Sequence, residues 1–407
     1  MVSGHWCVAV FTAYDHLLFT YYHLPITYYL LPITYYLLSF TIYHLLSTTH
    51  PLTMTAFTTS TCPIPISDYP HVLLAHGGGG RLSHMLFEKM LRPTFANAAL
   101  DMRHDGAVLD LAAAGGDGRL AFSTDSYVVR PLEFPGGDIG KLAIHGTIND
   151  LAMCGAQPLA LSVALILEEG FPMESLWRVA QSLQHAAAAA GVPIATGDTK
   201  VVERGKGDGV YINTSGVGII AHGVDVAPQR VQVGDRILLS GTIADHGIAV
   251  MSVREGLDFE TTICSDTAAL HTLVRAMLGA GGSDVHVMRD PTRGGVASAL
   301  NEIAEAAQVG IQLVEANIPV RDEVRGACEI LGFDPLYVAN EGKCIAIVAP
   351  SAAAAVLAAM RAHPLGGETT DIGEVVADHA GRVYLRSRVG GQRVVDMLSG
   401  EQLPRIC

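Results

Sequence analysis

The sequence predicts an α/β protein of two domains, on three observations. At 407 residues the chain is too long for one ordinary hydrophobic core. From residue 120 onward, apolar runs of strand length alternate with stretches of helical periodicity. Near Val231, Gly234 and Asp235 this pattern restarts, which predicts a second sheet with its own helices. A 49% apolar content with 43 glycines fits such a protein with many tight turns.

Residues 72–75 are a short strand candidate running into His76 and the glycines 77–80, where four glycines permit left-handed backbone and close approach to a ligand. Helical spacing follows over 81–100 with a break at Pro93, so the turn fits a phosphate cradle or a plain flexible turn. A strand over 120–124 ends at Asp125 and Ser126, and a helix over 143–155 carries Asn149 and Asp150. The apolar run 159–167 reads as a buried strand, and 172–190 as a helix ended by Gly191. A second buried strand, 192–196, delivers Gly197, Asp198, Thr199 and Lys200, and 211–220 is a further strand.

In the second half, 236–240 is a strand, while 244–255 and 267–278 are helical. Residues 290–295 lead into a helix over 296–308. Asn340, Glu341, Gly342 and Lys343 precede a strand at 344–348, followed by an Ala-rich helix at 351–363 and strands at 372–376 and 383–385. The expected divisions are an extension over 1–71, a first domain over 72–222, a second over 232–380 and a tail over 381–407.

Residues 1–80 contain no Lys or Arg, and their only acids are Asp15 and Asp68. LPITYYL occurs at 24–30 and again at 31–37, a period of seven that is not a coiled-coil heptad and contains Pro25 and Pro32. Three readings compete: translated repetitive DNA upstream of a start at Met54, a membrane anchor, or a disordered extension. The first is favoured, because prolines, many Thr and Tyr, and missing flanking Lys/Arg weaken a membrane helix.

The net charge of −14, with no basic block, sets nucleic-acid binding aside. Seven dispersed cysteines without ligand spacing argue against zinc and for reduced thiols in a cytosol-like compartment. The GGDIGK stretch at 136–141 lacks the spacing and the Ser/Thr of a P-loop, and no dinucleotide fingerprint or nucleophile elbow is present. Asp125, Asp150 and Asp198 suit a hard cation such as Mg²⁺, although any one of them alone reads as a cap or turn residue. Lys141, Lys200 and Arg293 lie in Gly-containing loops and could meet phosphate. The chain ends in Leu403-Pro404-Arg405-Ile406-Cys407, a thiol on a tether or an incidental Cys at a frayed end.

The segments AHGGGG (75–80), FSTDSYVV (122–129), FPGGDIGKLAIHGTINDLAMCGA (134–156), ILEEGFP (166–172), TGDTKVV (196–202), RDPTRGG (289–295), ANEGK (339–343) and LPRIC (403–407) resemble, in order, the HypE family of hydrogenase maturation factors. The resemblance runs from about residue 72 to the terminal Cys. It implies the two-domain fold of the aminoimidazole ribonucleotide synthetase and selenophosphate synthetase superfamily. There the first α/β domain dimerises and binds Mg-ATP.

It also implies the activity: a C-terminal Cys carbamoylated by HypF, and ATP-dependent dehydration of that thiocarboxamide to a thiocyanate. The cyano group would pass to HypC–HypD and become a ligand of the [NiFe] hydrogenase iron. Carried over, Cys407 bears the substrate, Glu341 is the base, and Lys200 orients the amide oxygen. Asp125, Asp150 and Asp198 hold Mg²⁺. Gly77, Gly78, Gly79 and Gly80, with Lys141, Asn149 and Arg293, hold ATP. A cytoplasmic homodimer is expected. His76, His145 and His246 are expected to make structural hydrogen bonds, and Cys154, Cys264, Cys328 and Cys344 to be buried fillers. Two other readings remain: another ATP-using phosphotransferase of the superfamily, and a non-catalytic carrier of the cyano group.

Overall fold

The computed structural model describes residues 79–86, 88–89, 101–103, 107–110, 118–257, 263–400 and 403–407. The repeats of the extension, Met54, His76, Gly77 and Gly78 lie outside them. The first half is built on a five-stranded sheet in the order β1-β2-β7-β5-β6. Its strands are β1 (Ala107–Asp110), β2 (Arg119–Tyr127), β5 (Ala156–Glu168), β6 (Ile194–Val202) and β7 (Val210–Ile220); β3 (Glu133–Phe134) and β4 (Gly137–Asp138) form a small hairpin apart. Helix α1 (Arg81–Leu86) precedes them, α2 (Ile139–Met153) lies on β2 and β7, and α3 (Met173–Ala190) packs on α2.

Helix α2 starts where Asp138 caps it, its carboxylate accepting from the amides of Gly140 and Lys141. Nearly every residue of α2 is buried, so it is a core helix clamped between layers rather than an amphipathic surface one. Helix α3 ends at Gly191, whose φ of 69° is the left-handed cap predicted there.

The other face of this sheet is open. Phe122, Leu159, Ile166 and Ile219 are exposed there, and β6, expected as a buried strand, is exposed along nearly all its length. The strand also runs straight through Gly197–Lys200 instead of delivering them from its end.

The second half carries a seven-stranded sheet, β14-β13-β10-β12-β8-β11-β9. Its strands are β8 (Arg236–Leu239), β9 (Val285–Arg289), β10 (Gly310–Val314), β11 (Ile345–Val348), β12 (Thr370–Val376), β13 (Arg382–Arg386) and β14 (Gln392–Val395). Central strands are buried on both faces, as their unbroken apolar runs require. Ile237 and Leu239 face the core that contains α6 (Gly295–Ala307). Leu238 faces the opposite core, with α5 (His271–Gly281) and α8 (Pro350–Ala362). Helices α4 (Asp245–Arg254) and α7 (Asp322–Leu331) pack against each other and join the core of the first half.

The segment expected as a tail from 381 begins with β13 and β14, so its first part completes the sheet. Its end is not frayed: Leu403 and Ile406 belong to the first half's core. One residue stitches the halves together, and two close approaches brace the second-half loops that it reaches. Asn149 on α2 accepts from the amide of Leu270 and donates to the carbonyls of Ala268 and Glu341. The amide of Glu341 donates to Asp266 at 3.0 Å. Gly342 lies so near the carbonyl of Asp266 that a Cβ would stand 1.8 Å from it, which only glycine avoids.

Candidate active site

A cleft of about 270 Å³ opens between the two halves. Asp125 from β2 and Asp150 and Gly146 from α2 form one wall. The opposite wall is the loop joining β9 to α6, with Asp290, Thr292 and Arg293, and the first turns of α6. Gly79, Glu341 and Cys407 close it. Gly294 and Gly295 give this loop its shape: both have positive φ, and a Cβ on Gly295 would meet the Leu336 carbonyl at 2.5 Å.

The lining holds five carboxyl groups, of Asp125, Asp150, Asp290, Glu302 and Glu341, against the guanidinium groups of Arg289 and Arg293. Ser123 donates to Asp150 at 2.7 Å, and Arg289 pairs with Glu302. Burial pushes the Asp290 carboxyl up to about 6, and Asp125 adds to this while Arg289 opposes it. The Glu341 carboxyl is 3% exposed. Burial, then the charges of Asp125, Asp290 and Asp266, hold its pKa well above the usual carboxylate range, against Arg293. Its Oε1 is buried without a hydrogen-bond partner. The charge of Cys407, foremost, raises the pKa of the Arg293 guanidinium.

The chain therefore brings together Gly79, Asp125, Asp150, Arg293, Glu341 and Cys407. It does not bring in Asp198 and Lys200. Sheet register pairs Asp198 with Ala164 and Lys200 with Ile166, and Ala164 with Asn213 and Ser126 in turn, all on the open face. Asp125 pairs with Thr214 and Val163, on the face that carries α2. Within one subunit the sheet separates the two sets, and Asp198 and Lys200 form their own exposed ion pair. Nor are the carboxylates gathered as a ready cage: among the described residues no group of three or more His, Cys, Asp or Glu is close enough to hold a metal.

The GGDIGK loop lies elsewhere too. Its helix start is already capped by Asp138, and Lys141 donates to the Gly136 carbonyl at 2.9 Å. Asn149 spends its amide on backbone groups, which makes it a strut behind the cleft. Gly80 packs on the Leu398 carbonyl.

His145 bonds Thr267 at 3.1 Å as the structural histidine expected. His246 instead meets the carbonyl of Ile406 at 2.9 Å and so holds the chain end. Cys154, Cys328 and Cys344 are buried, whereas Cys264, expected as a filler, is exposed on the loop following the gap at 258–262. Sequence reasoning missed Asp290, Glu302 and Asp266. The first lies inside the RDPTRGG motif, from which only Arg293 had been taken; the other two are acids in ordinary helix and loop contexts.

Two family profiles cover most of the described chain: the AIR synthase related protein N-terminal domain over residues 103–220, and its C-terminal domain over 232–386. The carbamoyl dehydratase HypE of Bradyrhizobium diazoefficiens is 55% identical over 334 residues, 82% of this chain and 95% of that protein. That of Azotobacter vinelandii is 55% identical over 336 residues, covering 83% and 97%. Among solved structures, a HypE in complex with ATP matches with a TM-score of 0.69 at 48% identity, over 83% of this chain and all of that one. A HypE–HypF complex matches with a TM-score of 0.73 at 44% identity, over 77% and 99%.

The buried Glu341 yields a stability test. With its pKa raised, the folded state retains a proton that the unfolded chain releases. Stability therefore falls as pH rises above the ordinary carboxyl value of about 4.5. Glu341→Gln keeps the shape without the charge, so it is expected to gain about 1 kcal/mol or more at neutral pH, read by denaturant unfolding. A loss of stability at pH 7 would contradict this electrostatic picture.

Proposed function

The chain belongs to the carbamoyl dehydratase HypE family, and we propose that it converts a carbamoyl group on its own Cys407 to a cyano group at the expense of ATP. The observation that carries this is the terminal Cys itself, seated in a cleft with Glu341, Arg293, Asp125 and Asp150. It is an ATP-dependent hydro-lyase of hydrogenase maturation, and its product supplies the CN ligand of the [NiFe] iron.

The chemistry follows from the bonds. In –S–C(=O)–NH₂ the oxygen leaves poorly. Attack by that oxygen on the γ-phosphorus of ATP releases ADP and turns the oxygen into a phosphate ester. Loss of the two N–H protons and of phosphate then leaves –S–C≡N, the net removal of one water. Glu341 is proposed to accept an N–H proton: once ionised, a carboxylate whose pKa is raised by burial takes protons better than an ordinary one. Arg293 faces the developing phosphoryl charge.

The donor set fits Mg²⁺, since Asp125 and Asp150 offer hard oxygens in a cleft where carboxyl groups outnumber guanidinium groups. When bound, the ion would neutralise phosphate charge there. Gly79 could admit the nucleotide backbone close to Arg293, against whose Cβ it packs.

The partner that loads Cys407 is proposed to be HypF, with HypC–HypD as acceptor of the cyano group. The dispersed cysteines, without the spacing of a disulfide framework, support a reducing, cytoplasmic setting. Among the described residues no helix is long and apolar enough to cross a membrane.

We further propose a homodimer through the open sheet face. Phe122, Ile166 and Ile219 are exposed there, on the same face as Asp198 and Lys200, so those two charged residues would complete a partner subunit's cleft rather than their own. Mixing Lys200→Ala subunits with Cys407→Ala subunits, each inactive alone, is then expected to restore water loss on the Lys200→Ala chain. No restoration in mixed dimers that sedimentation shows to have formed would place Lys200 outside the chemistry.

The main test weighs the C-terminal peptide. Carbamoylated protein given Mg-ATP should lose one water at Cys407, and Glu341→Gln should slow this by about 10²-fold or more. Unchanged mass after demonstrated carbamoylation would sink the dehydratase reading and favour a mere carrier.

A further inference from the structure

The last four residues carry four carbonyl oxygens, and each meets a donor from the body of the protein. Arg254 donates to the Pro404 carbonyl at 2.5 Å and to that of Arg405 at 2.8 Å. The amide of Arg130 also donates to the Arg405 carbonyl, at 3.2 Å. His246 Nε2 meets the Ile406 carbonyl at 2.9 Å, and the amide of Val128 donates to the terminal oxygen of Cys407 at 3.0 Å. A carbonyl cannot donate, so His246 carries its proton on Nε2 and its Nδ1 accepts from Ser265. Ile406 is buried in the core between these bonds.

Arg405 supplies the bend. Its φ of 54° lies in the left-handed region and turns its side chain away from the cleft. The guanidinium then donates to the Val128 carbonyl at 2.9 Å and pairs with Asp208, which also pairs with Arg130. Arg254 meanwhile also donates to the Arg130 carbonyl, so a single guanidinium joins the tail to the segment it lies against.

We propose that Arg254 and Asp208 form a dock that holds the chain end in the cleft, and that its strength sets the balance between loading and dehydration of Cys407. The inference rests on the reading of Cys407 as substrate carrier. While docked, the thiol is half-buried in the cleft beside Glu341, so an external enzyme can reach it only after the dock opens. Dehydration needs the opposite state. Arg254 and Asp208 are not among the residues that line the cleft, and they act on it through the tail backbone and Arg405, as positioning residues.

The test uses the full-length protein and iodoacetamide, with exposed Cys264 as internal reference. Charge-assisted bonds to two tail carbonyls are lost in Arg254→Ala. Alkylation of Cys407 is therefore expected to rise about tenfold or more with Cys264 unchanged. In the same variant, carbamoylation by HypF should quicken and ATP-dependent water loss should slow, with Arg254→Lys intermediate in both. Asp208→Asn, which loosens the pairs with Arg405 and Arg130 but keeps the Arg254 bonds, should move all three rates in the same directions. Unchanged Cys407 alkylation in folded Arg254→Ala, or carbamoylation and water loss slowed together, would overturn the dock. Faster alkylation in a protein that never loses water would support the dock and overturn the dehydratase reading instead.

Discussion

A chain end can lie inside a protein only when its backbone oxygens find donors, because a buried carbonyl left without one costs more than a made bond returns. Here each of the last four carbonyls has such a donor, and Ile406 adds an apolar anchor. Much of the site depends on that arrangement. It places a thiol in the same cleft as the buried carboxyl of Glu341. The donors come from β2's continuation and from α4, elements of the two different halves, so the joint between domains and the seat of the tail are the same structure.

The electrostatics of the cleft follow from this joint. Bringing α2 and β2 against the β9–α6 loop packs Asp125, Asp150, Asp290 and Glu341 into one space. Such crowding costs stability and raises pKa values. Carboxyl groups crowded and shifted in this way mark a functional-site candidate, because their mutual repulsion favours a bound cation or proton. Asn149 and Gly342 contribute by geometry alone: one stitches three backbone groups, the other allows two loops to cross.

The sequence made the larger architecture readable, because strands and helices of strong periodicity survive tertiary context. Strands β2, β5, β7, β8, β11 and β12 and helices α2, α3 and α6 lie close to their expected bounds, whereas β9 and β10 were not foreseen. The acids were harder. Asp125, Asp150 and Asp198 look alike along the chain, yet sheet register puts Asp198 on the opposite face, and a period-two distinction between strands is invisible without the pairing. The apolar residues of β6 carry no mark that separates a strand covered on both faces from one left exposed, so its exposure is not legible in composition. Lys141 was attractive for its glycines, but Asp138 had already closed that helix start. The dock was illegible, since it reads backbone oxygens, and Arg254 and Asp208 carry no local signature of that task.

In the proposed reaction the carbamoyl oxygen itself becomes the phosphorylated leaving group in this cleft. The direct measurement labels that oxygen with its heavy isotope on Cys407, adds Mg-ATP and weighs the phosphate released. The account predicts that the phosphate carries the label. Unlabelled phosphate, formed while the cyano group appears on Cys407, would contradict it.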